Sequence, residues 1–159
     1  MSSFPEHLAL VLHLGPPMSL EQFRRPVVVA SEEESSASAA RKMRDASVGC
    51  VIVVRGGRPV GIVTDRDLAL RVLAEGRDAE RTRVADVVTY DPYVVRVSDN
   101  IATATARIRK HGVRRLPLVD AEGNVAGIVT ADELVVFLGQ KLAELCEGID
   151  DSADAGDSR

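Results

Sequence analysis

Eight residues occur twice in this chain with little change, as Gly61-Ile62-Val63-Thr64-Asp65-Arg66-Asp67-Leu68 and as Gly127-Ile128-Val129-Thr130-Ala131-Asp132-Glu133-Leu134. Each copy closes an apolar run, puts a Thr where a strand should stop, and sets a carboxylate three residues later. The copies lie 66 residues apart in a chain of 159. Most of the protein must therefore be two copies of one unit, and the first question is what lies between them.

The copies can be followed outward from these endings. Pro26-Val27-Val28-Val29-Ala30 and Tyr93-Val94-Val95-Arg96-Val97 are short β-branched runs followed by polar stretches. Ser35 to Arg44 and Asn100 to Lys110 then place Ala39, Ala40 and Met43, and Ala104 and Ile108, at helical spacing. Asp99 or Ser98 is expected to cap the second of these helices, and Glu32-Glu33-Glu34 suits the positive end of the first. Cys50 to Val54 and Leu116 to Val119 read as strands. Gly-containing turns at 55–58 and 120–124 lead each back into the strand that ends at the Thr. A closing helix follows, Asp65 to Ala74 in one copy and Ala131 to about Leu145 in the other. Each unit is β-α-β-β-α, and the fold class is α/β (α+β). Its sheet has a face that one helix layer cannot cover, so two units packed about a pseudo-two-fold axis bury what each leaves exposed.

This divides the chain into an N-terminal extension at 1–17, a first repeat at 18–83, a second at 84–147, and an acidic tail at 148–159 expected to be disordered. Met18 to Phe23 and Val84 to Val88 stand in equivalent places before the two units. Residues 8–14 are apolar but have neither a basic leader nor a cleavage site, and are too short to span a bilayer. They are expected to pack on the body as a short helix or strand.

Composition narrows the function. The net charge of −4 is carried by the last residues, among them Glu147, Asp150, Asp151, Asp154 and Asp157. The near-neutral body argues against nucleic acid and membrane as partners. Cys50 and Cys146 have no metal-type spacing and are expected to be free thiols in the cytoplasm. His7, His13 and His111 are too scattered for a metal site. There is no Gly-rich phosphate loop, no nucleophile elbow and no carboxylate with a His or Lys at fixed spacing, so the chain is not expected to be an enzyme.

The element order and the doubled Gly-Ile-Val-Thr-x-x-Asp/Glu-Leu ending resemble a tandem pair of cystathionine β-synthase (CBS) domains, a Bateman module, over about residues 18–146. Residues 110–120 (Lys-His-Gly-Val-Arg-Arg-Leu-Pro-Leu-Val-Asp) and the phrase from Val84 to Pro92 support the likeness. The resemblance implies a regulatory or sensing module that binds an adenosine-containing ligand between its repeats. AMP, ADP, ATP and S-adenosylmethionine are the candidates, and no cofactor is required. It also implies a homodimer and a regulated target protein whose identity the sequence does not give. The other reading is an interaction or dimerisation module without a small-molecule ligand, built on the apolar stripe Leu134, Val135, Phe137, Leu138, Leu142 and Leu145.

Carried onto this chain, the family pattern makes Thr64 and Asp67 ligand contacts, with the Asp67 carboxylate accepting from both ribose hydroxyls. The plainer reading is that the two only cap their helix. Arg66 is either a phosphate partner or a solvated helix residue. Thr130 and Glu133 are the second pair, with the longer Glu expected to displace or lose the ribose contact. Arg114 and Arg115 occupy the loop where the family places phosphate-binding residues, or else form exposed salt bridges. The first copy has Gly49-Cys50 there and supplies no charge. The expectation is one dominant nucleotide, with Val48, Cys50, Val113 and Leu116 holding the base by backbone and apolar contacts.

Overall fold

The computed structural model describes residues 19–154. The N-terminal extension, with the apolar run at 8–14, lies outside the described residues. A single 3₁₀ turn, Leu20–Phe23, leads into β1 (Val29–Ala30), α1 (Ser36–Asp45), β2 (Cys50–Arg55) and β3 (Arg58–Thr64). Helix α2 (Asp65–Leu68) passes directly into a π turn, Ala69–Leu73, and a second 3₁₀ turn spans Val84–Asp86. The order then repeats as β4 (Thr89–Tyr90), β5 (Val95–Arg96), α3 (Ile101–His111), β6 (Arg115–Val119), β7 (Val125–Thr130) and α4 (Ala131–Asp154).

The two sheets are built alike. In the first, β1 runs parallel to β2, β2 and β3 form a hairpin, and β4 adds antiparallel to β3. In the second, β5 runs parallel to β6 and β6 and β7 form the hairpin. Both hairpins shift register at the same place, between Val53 and Val54 and between Leu118 and Val119. The expected turns are present, with Gly56 and Gly57 at φ 57° and 80° and Gly123 at φ 87°. β1 and β5 are shorter than the β-branched runs suggest, because only Val29–Ala30 and Val95–Arg96 pair along a neighbouring strand.

Local chemistry fixes the helix ends. Ser35 caps α1 by accepting the Ser38 N–H at 3.1 Å, and Lys42 and Arg44 sit in the last turn, where the helix dipole favours cations. The cap of α3 is Asn100, which accepts the Thr103 N–H at 2.9 Å, and not the expected Asp99 or Ser98. Asp99 is engaged one turn earlier, where its side chain accepts the Arg96 N–H at 3.0 Å. Helix α4 continues past Leu145 to Asp154, so the region expected to be disordered from Gly148 is helical for its first residues. A lone Gly weakens a helix by only about 1 kcal/mol relative to Ala, and there is no Pro to stop it.

Each sheet buries one aliphatic core, and the two cores exchange a piece. Val84, Val87 and Val88, which precede the second repeat, pack with Val51, Val53 and Val63 in the first core. Leu20 and Phe23, which precede the first repeat, pack with Val95, Leu116, Leu118 and Val129 in the second. Backbone hydrogen bonds hold both crossings: Leu20 N–H to the Asp99 carbonyl at 2.8 Å, and Val84 N–H to the Glu34 carbonyl at 2.8 Å. Continuity in sequence and continuity in packing therefore divide the chain differently.

The first Gly of each repeated ending marks the crossing. Gly61 pairs with Tyr90 and Gly127 bridges to Arg24, so the incoming segment lies against the glycine in both halves. A Cβ on Gly127 would stand 2.4 Å from the Phe23 carbonyl oxygen, and one on Gly61 would stand 2.2 Å from Val88 Cγ2.

Candidate functional site

The strand register aligns the halves residue by residue. Thr64 pairs with Cys50 and Thr130 with Arg115. The residues after each Thr donate back alike, Asp65 N–H to the Gly49 carbonyl at 3.2 Å and Ala131 N–H to the Arg114 carbonyl at 2.9 Å. Gly49-Cys50 is thus the counterpart of Arg114-Arg115, and counting back, Val48 matches Val113 and Ala46 matches His111. On the parallel strands Ala30 lies beside Val53 and Val95 beside Leu118, which makes Tyr93 the counterpart of Val28.

Both Thr/carboxylate pairs form reciprocal caps. Asp67 Oδ2 accepts from the Thr64 N–H at 2.9 Å and from its Oγ1 at 2.7 Å, and the Asp67 N–H donates to Thr64 Oγ1 at 3.1 Å. Glu133 repeats this: Oε2 accepts from the Thr130 N–H at 3.2 Å and from Oγ1 at 2.8 Å, and its own N–H donates to Thr130 Oγ1 at 3.2 Å. The extra methylene does not displace the cap. The halves differ at the second oxygen. Asp67 Oδ1 meets Arg71 Nη2 at 3.1 Å within the same helix, whereas Glu133 Oε1 pairs with Arg25, from the segment that crosses over. Burial by itself raises the Glu133 carboxyl, but the Arg25 and Thr130 contacts outweigh it and hold it below the ordinary glutamate range.

A cleft of about 340 Å³ opens at the seam between the halves. Arg25, Pro26, Val27 and Val28 form one wall, Ala46, Val48, Cys50 and Ile52 another, and Ile128 of the other repeat closes it. Its size falls at the lower end of the ~300–1,000 Å³ typical of small-molecule sites, and its lining is mostly apolar. Burial pushes the Cys50 thiol up, while the guanidiniums of Arg115 and Arg25 pull it down and Asp65 raises it again. The net shift keeps the sulfur a neutral, apolar lining atom. Arg115 reaches across the seam: the position of a Cβ on Gly49 would lie 3.1 Å from Arg115 Nη2 and 3.2 Å from Asp65 Oδ2. A side chain at 49 would crowd that guanidinium.

The residues expected at a site are thus partly gathered and partly dispersed. Val48 and Cys50 line the cleft, and Arg115 stands beside it. Arg114 instead forms an exposed ion pair with Asp132 at 2.8 Å. The side chain of Arg66 is solvated. Leu116 is fully buried in the second core and Val113 packs against that core, so Leu116 has only its backbone to offer a ligand. Arg25, Pro26, Val27, Val28 and Ile128 complete the cleft and were not singled out in the sequence. The signal available there was the β-branched run at 26–30, whose first residues leave the sheet.

On the mirror side two aromatic rings stand at the matching positions. Tyr93 and His111, the counterparts of Val28 and Ala46, stack ring on ring with centroids 3.7 Å apart and planes 19° from parallel. Among the described residues, no three His, Cys, Asp or Glu side chains come together as a metal site, and no helix is long and apolar enough to cross a membrane.

The CBS domain model matches twice, at residues 20–74 and 84–139. An uncharacterised protein of Methanopyrus kandleri is 32% identical over 116 residues, taking in 72% of this chain and 59% of that protein, so the chain spans less than two thirds of this relative. The CBS domain-containing protein YhcV of Bacillus subtilis is 36% identical over 110 residues, 69% of this chain and 77% of that one. Among solved structures, CBSX2 in complex with AMP is 28% identical with a TM-score of 0.64, covering 77% of this chain and 97% of the other. A CBS domain pair in complex with 5′-methylthioadenosine and S-adenosyl-L-methionine has a TM-score of 0.70 at 22% identity, covering 79% and 99%. The chain belongs to the CBS domain family, as a tandem pair of CBS repeats folded together.

Proposed function

We propose that this CBS pair is a regulatory module that binds one adenosine-containing ligand, AMP, ADP, ATP or S-adenosylmethionine, in the cleft at the seam. The observation that carries this reading is the cleft itself, apolar in its walls and bordered by the Arg25 and Arg115 guanidiniums. A purine fits between Val48, Cys50 and Ile128. A ribose lies toward the start of α4, where Thr130 and Glu133 border the Arg25 wall, and phosphate lies toward the Arg25 and Arg115 guanidiniums. Thr64 and Asp67 hold the equivalent place beside the stacked Tyr93 and His111, and Arg71 already engages Asp67. The AMP complex of a 28%-identical CBS protein supports the ligand class. The adenosyl complex of a more distant pair of the same fold agrees with it.

The test is mass spectrometry of metabolites released from purified, denatured protein, followed by calorimetry with AMP, ATP and S-adenosylmethionine. Saturable binding of one adenosyl ligand per chain is expected. Heat changes at the level of buffer for all three, from folded protein, would sink the reading.

A second reading rests on α4, which exposes Val135, Val136, Leu138 and Leu142. The counterpart helix exposes Leu70 and Leu73. Such a stripe suits a self-association or partner surface, and an interaction module without a ligand would use it alone.

A further inference from the structure

The two carboxylates that follow the closing threonines are each neutralised by an arginine, but the two arginines are held very differently. Arg71 lies on the same helix as Asp67 and is tied down elsewhere: its guanidinium donates to the Val87 carbonyl at 2.5 Å and to Thr89 Oγ1 at 3.1 Å. It cannot leave Asp67 without breaking those bonds. Arg25 lines the seam cleft, and among the described residues Glu133 is the one acid within ion-pair reach of it. Its side chain is 44% exposed, and an ion pair that open to solvent holds weakly.

We propose that Arg25 is the residue that selects phosphorylated adenosine ligands in this cleft, by exchanging its bond to Glu133 for a bond to phosphate. The proposal rests on the reading of the cleft as an adenosyl site. One Glu133 oxygen is committed to the Thr130 cap and the other to Arg25. A ribose diol, which donates two neighbouring hydroxyls, finds no open pair of acceptors until Arg25 moves. A phosphate gives Arg25 somewhere to go, because a guanidinium binds phosphate through two parallel charge-assisted hydrogen bonds. The exchange frees Glu133 Oε1 for the diol in the same step. Adenosine offers no such acceptor, so Arg25 stays on Glu133 Oε1 and the diol goes without that oxygen. S-adenosylmethionine is worse placed, since it carries a sulfonium cation at the carbon where a nucleotide carries phosphate, and its carboxylate lies farther out at the end of a flexible chain. The expected order is AMP, then adenosine, then S-adenosylmethionine.

Calorimetry on the full chain with these three ligands tests this, using the unsubstituted protein, Arg25→Gln and Glu133→Gln. The unsubstituted protein is expected to bind AMP at least tenfold tighter than adenosine. Arg25→Gln should lower that ratio at least threefold, mainly by loss of AMP affinity and with adenosine unchanged or tighter, the remainder being the share of Arg115. Glu133→Gln should keep AMP the tighter ligand by at least severalfold, because Arg25, without its competing carboxylate, still meets the phosphate. An AMP-to-adenosine ratio unchanged in Arg25→Gln overturns the proposal. If that variant does not fold, AMP bound no tighter than adenosine by Glu133→Gln overturns it. Folded, unsubstituted protein that binds none of the three overturns the adenosyl reading of the cleft itself, a failure distinct from equal binding of AMP and adenosine.

Discussion

Cys50 and Arg115 stand at the same place in the two repeats: each opens its strand and pairs across the hairpin with the closing threonine, Thr64 or Thr130. One position therefore presents a small neutral thiol and its twin a guanidinium that leans across the seam over Gly49. The duplication supplies the frame, and substitutions within the frame make its two faces unequal. Val28 against Tyr93 and Ala46 against His111 work in the same direction. The small pair lines a cleft, and the ring pair stacks at the matching positions.

If the stacked rings keep the mirror space closed, replacing them should open it. The double variant Tyr93→Val with His111→Ala gives the second half the side chains of the first. Calorimetry is expected to show a second AMP per chain. A stoichiometry that stays at one would refute this account of the asymmetry.

The glycines at the crossings should be intolerant of any side chain. Gly127→Ala forces the chain off the Phe23 carbonyl and is expected to lower stability by roughly 1–3 kcal/mol or more in urea unfolding. Gly61→Ala should cost less, because its nearest obstacle is the Val88 side chain and the backbone oxygen of Thr89 stands farther off, at 3.1 Å. Gly139→Ala is the control: nothing lies within 4 Å of a Cβ there, and the helix should gain about 0.5–1 kcal/mol. A Gly127→Ala protein as stable as its parent would contradict the packing described.

The capping threonines should matter for stability whatever they do for a ligand. Thr64→Val and Thr130→Val each remove a hydroxyl that accepts a helix N–H and donates to a carboxylate. Each is expected to lower stability by about 1 kcal/mol. Their midpoints in urea, compared with the parent, check this.

Stability should fall on acidification, with a sign fixed by two glutamates. Glu133 and Glu34 both lie below the ordinary value of 4.5, because favourable contacts outweigh the upward push of burial. For Glu34 those contacts are with Lys42, Ser31 and Ser38. The unfolded chain then takes up protons first. The stabilisation is complete above about pH 4.5 and is lost as pH drops through the lower folded values. Thermal melts between pH 7 and 3 should show this decline, and Glu133→Gln should make it shallower. An equal slope in the variant would count against the Arg25 and Thr130 contacts.

The exposed stripe on α4 should control association and not folding. Val135 and Val136 are 70% and 60% exposed, so Val135→Asp with Val136→Asp removes little buried surface. If the stripe joins copies of the chain, sedimentation should shift toward monomer while the unfolding midpoint extrapolated to low concentration is kept. An unchanged sedimentation profile would exclude this face as the contact.

The repeat made the fold legible. Two endings at one spacing, with Gly turns ahead of them, set the hairpins, the helices and their order, because hydrophobic period and turn chemistry are local properties. The cap at Asn100 is not legible in the sequence, because Asp99 has equal capping chemistry and the choice between them depends on the turn at Arg96. Nor is the end of α4, because composition alone does not oblige a polar, acidic stretch to leave a helix. The seam was the hardest to read. Arg25 sits far from Glu133 in sequence and looks like any basic residue before a strand, and Leu116 and Cys50 look alike until the register sends one into the core and the other to the cleft. Side-chain direction at a strand start depends on pairing, which one sequence does not display.

The exchange of leading segments has a consequence for integrity. A protease that nicked the polar stretch between Leu73 and Val84 would produce two fragments, yet neither could depart with a whole interior. The N-terminal fragment would still hold Leu20 and Phe23 inside its neighbour, and the C-terminal one would still hold Val84, Val87 and Val88 inside the other. Cleavage there would leave a clasped pair, and the duplicated halves would survive or unravel together.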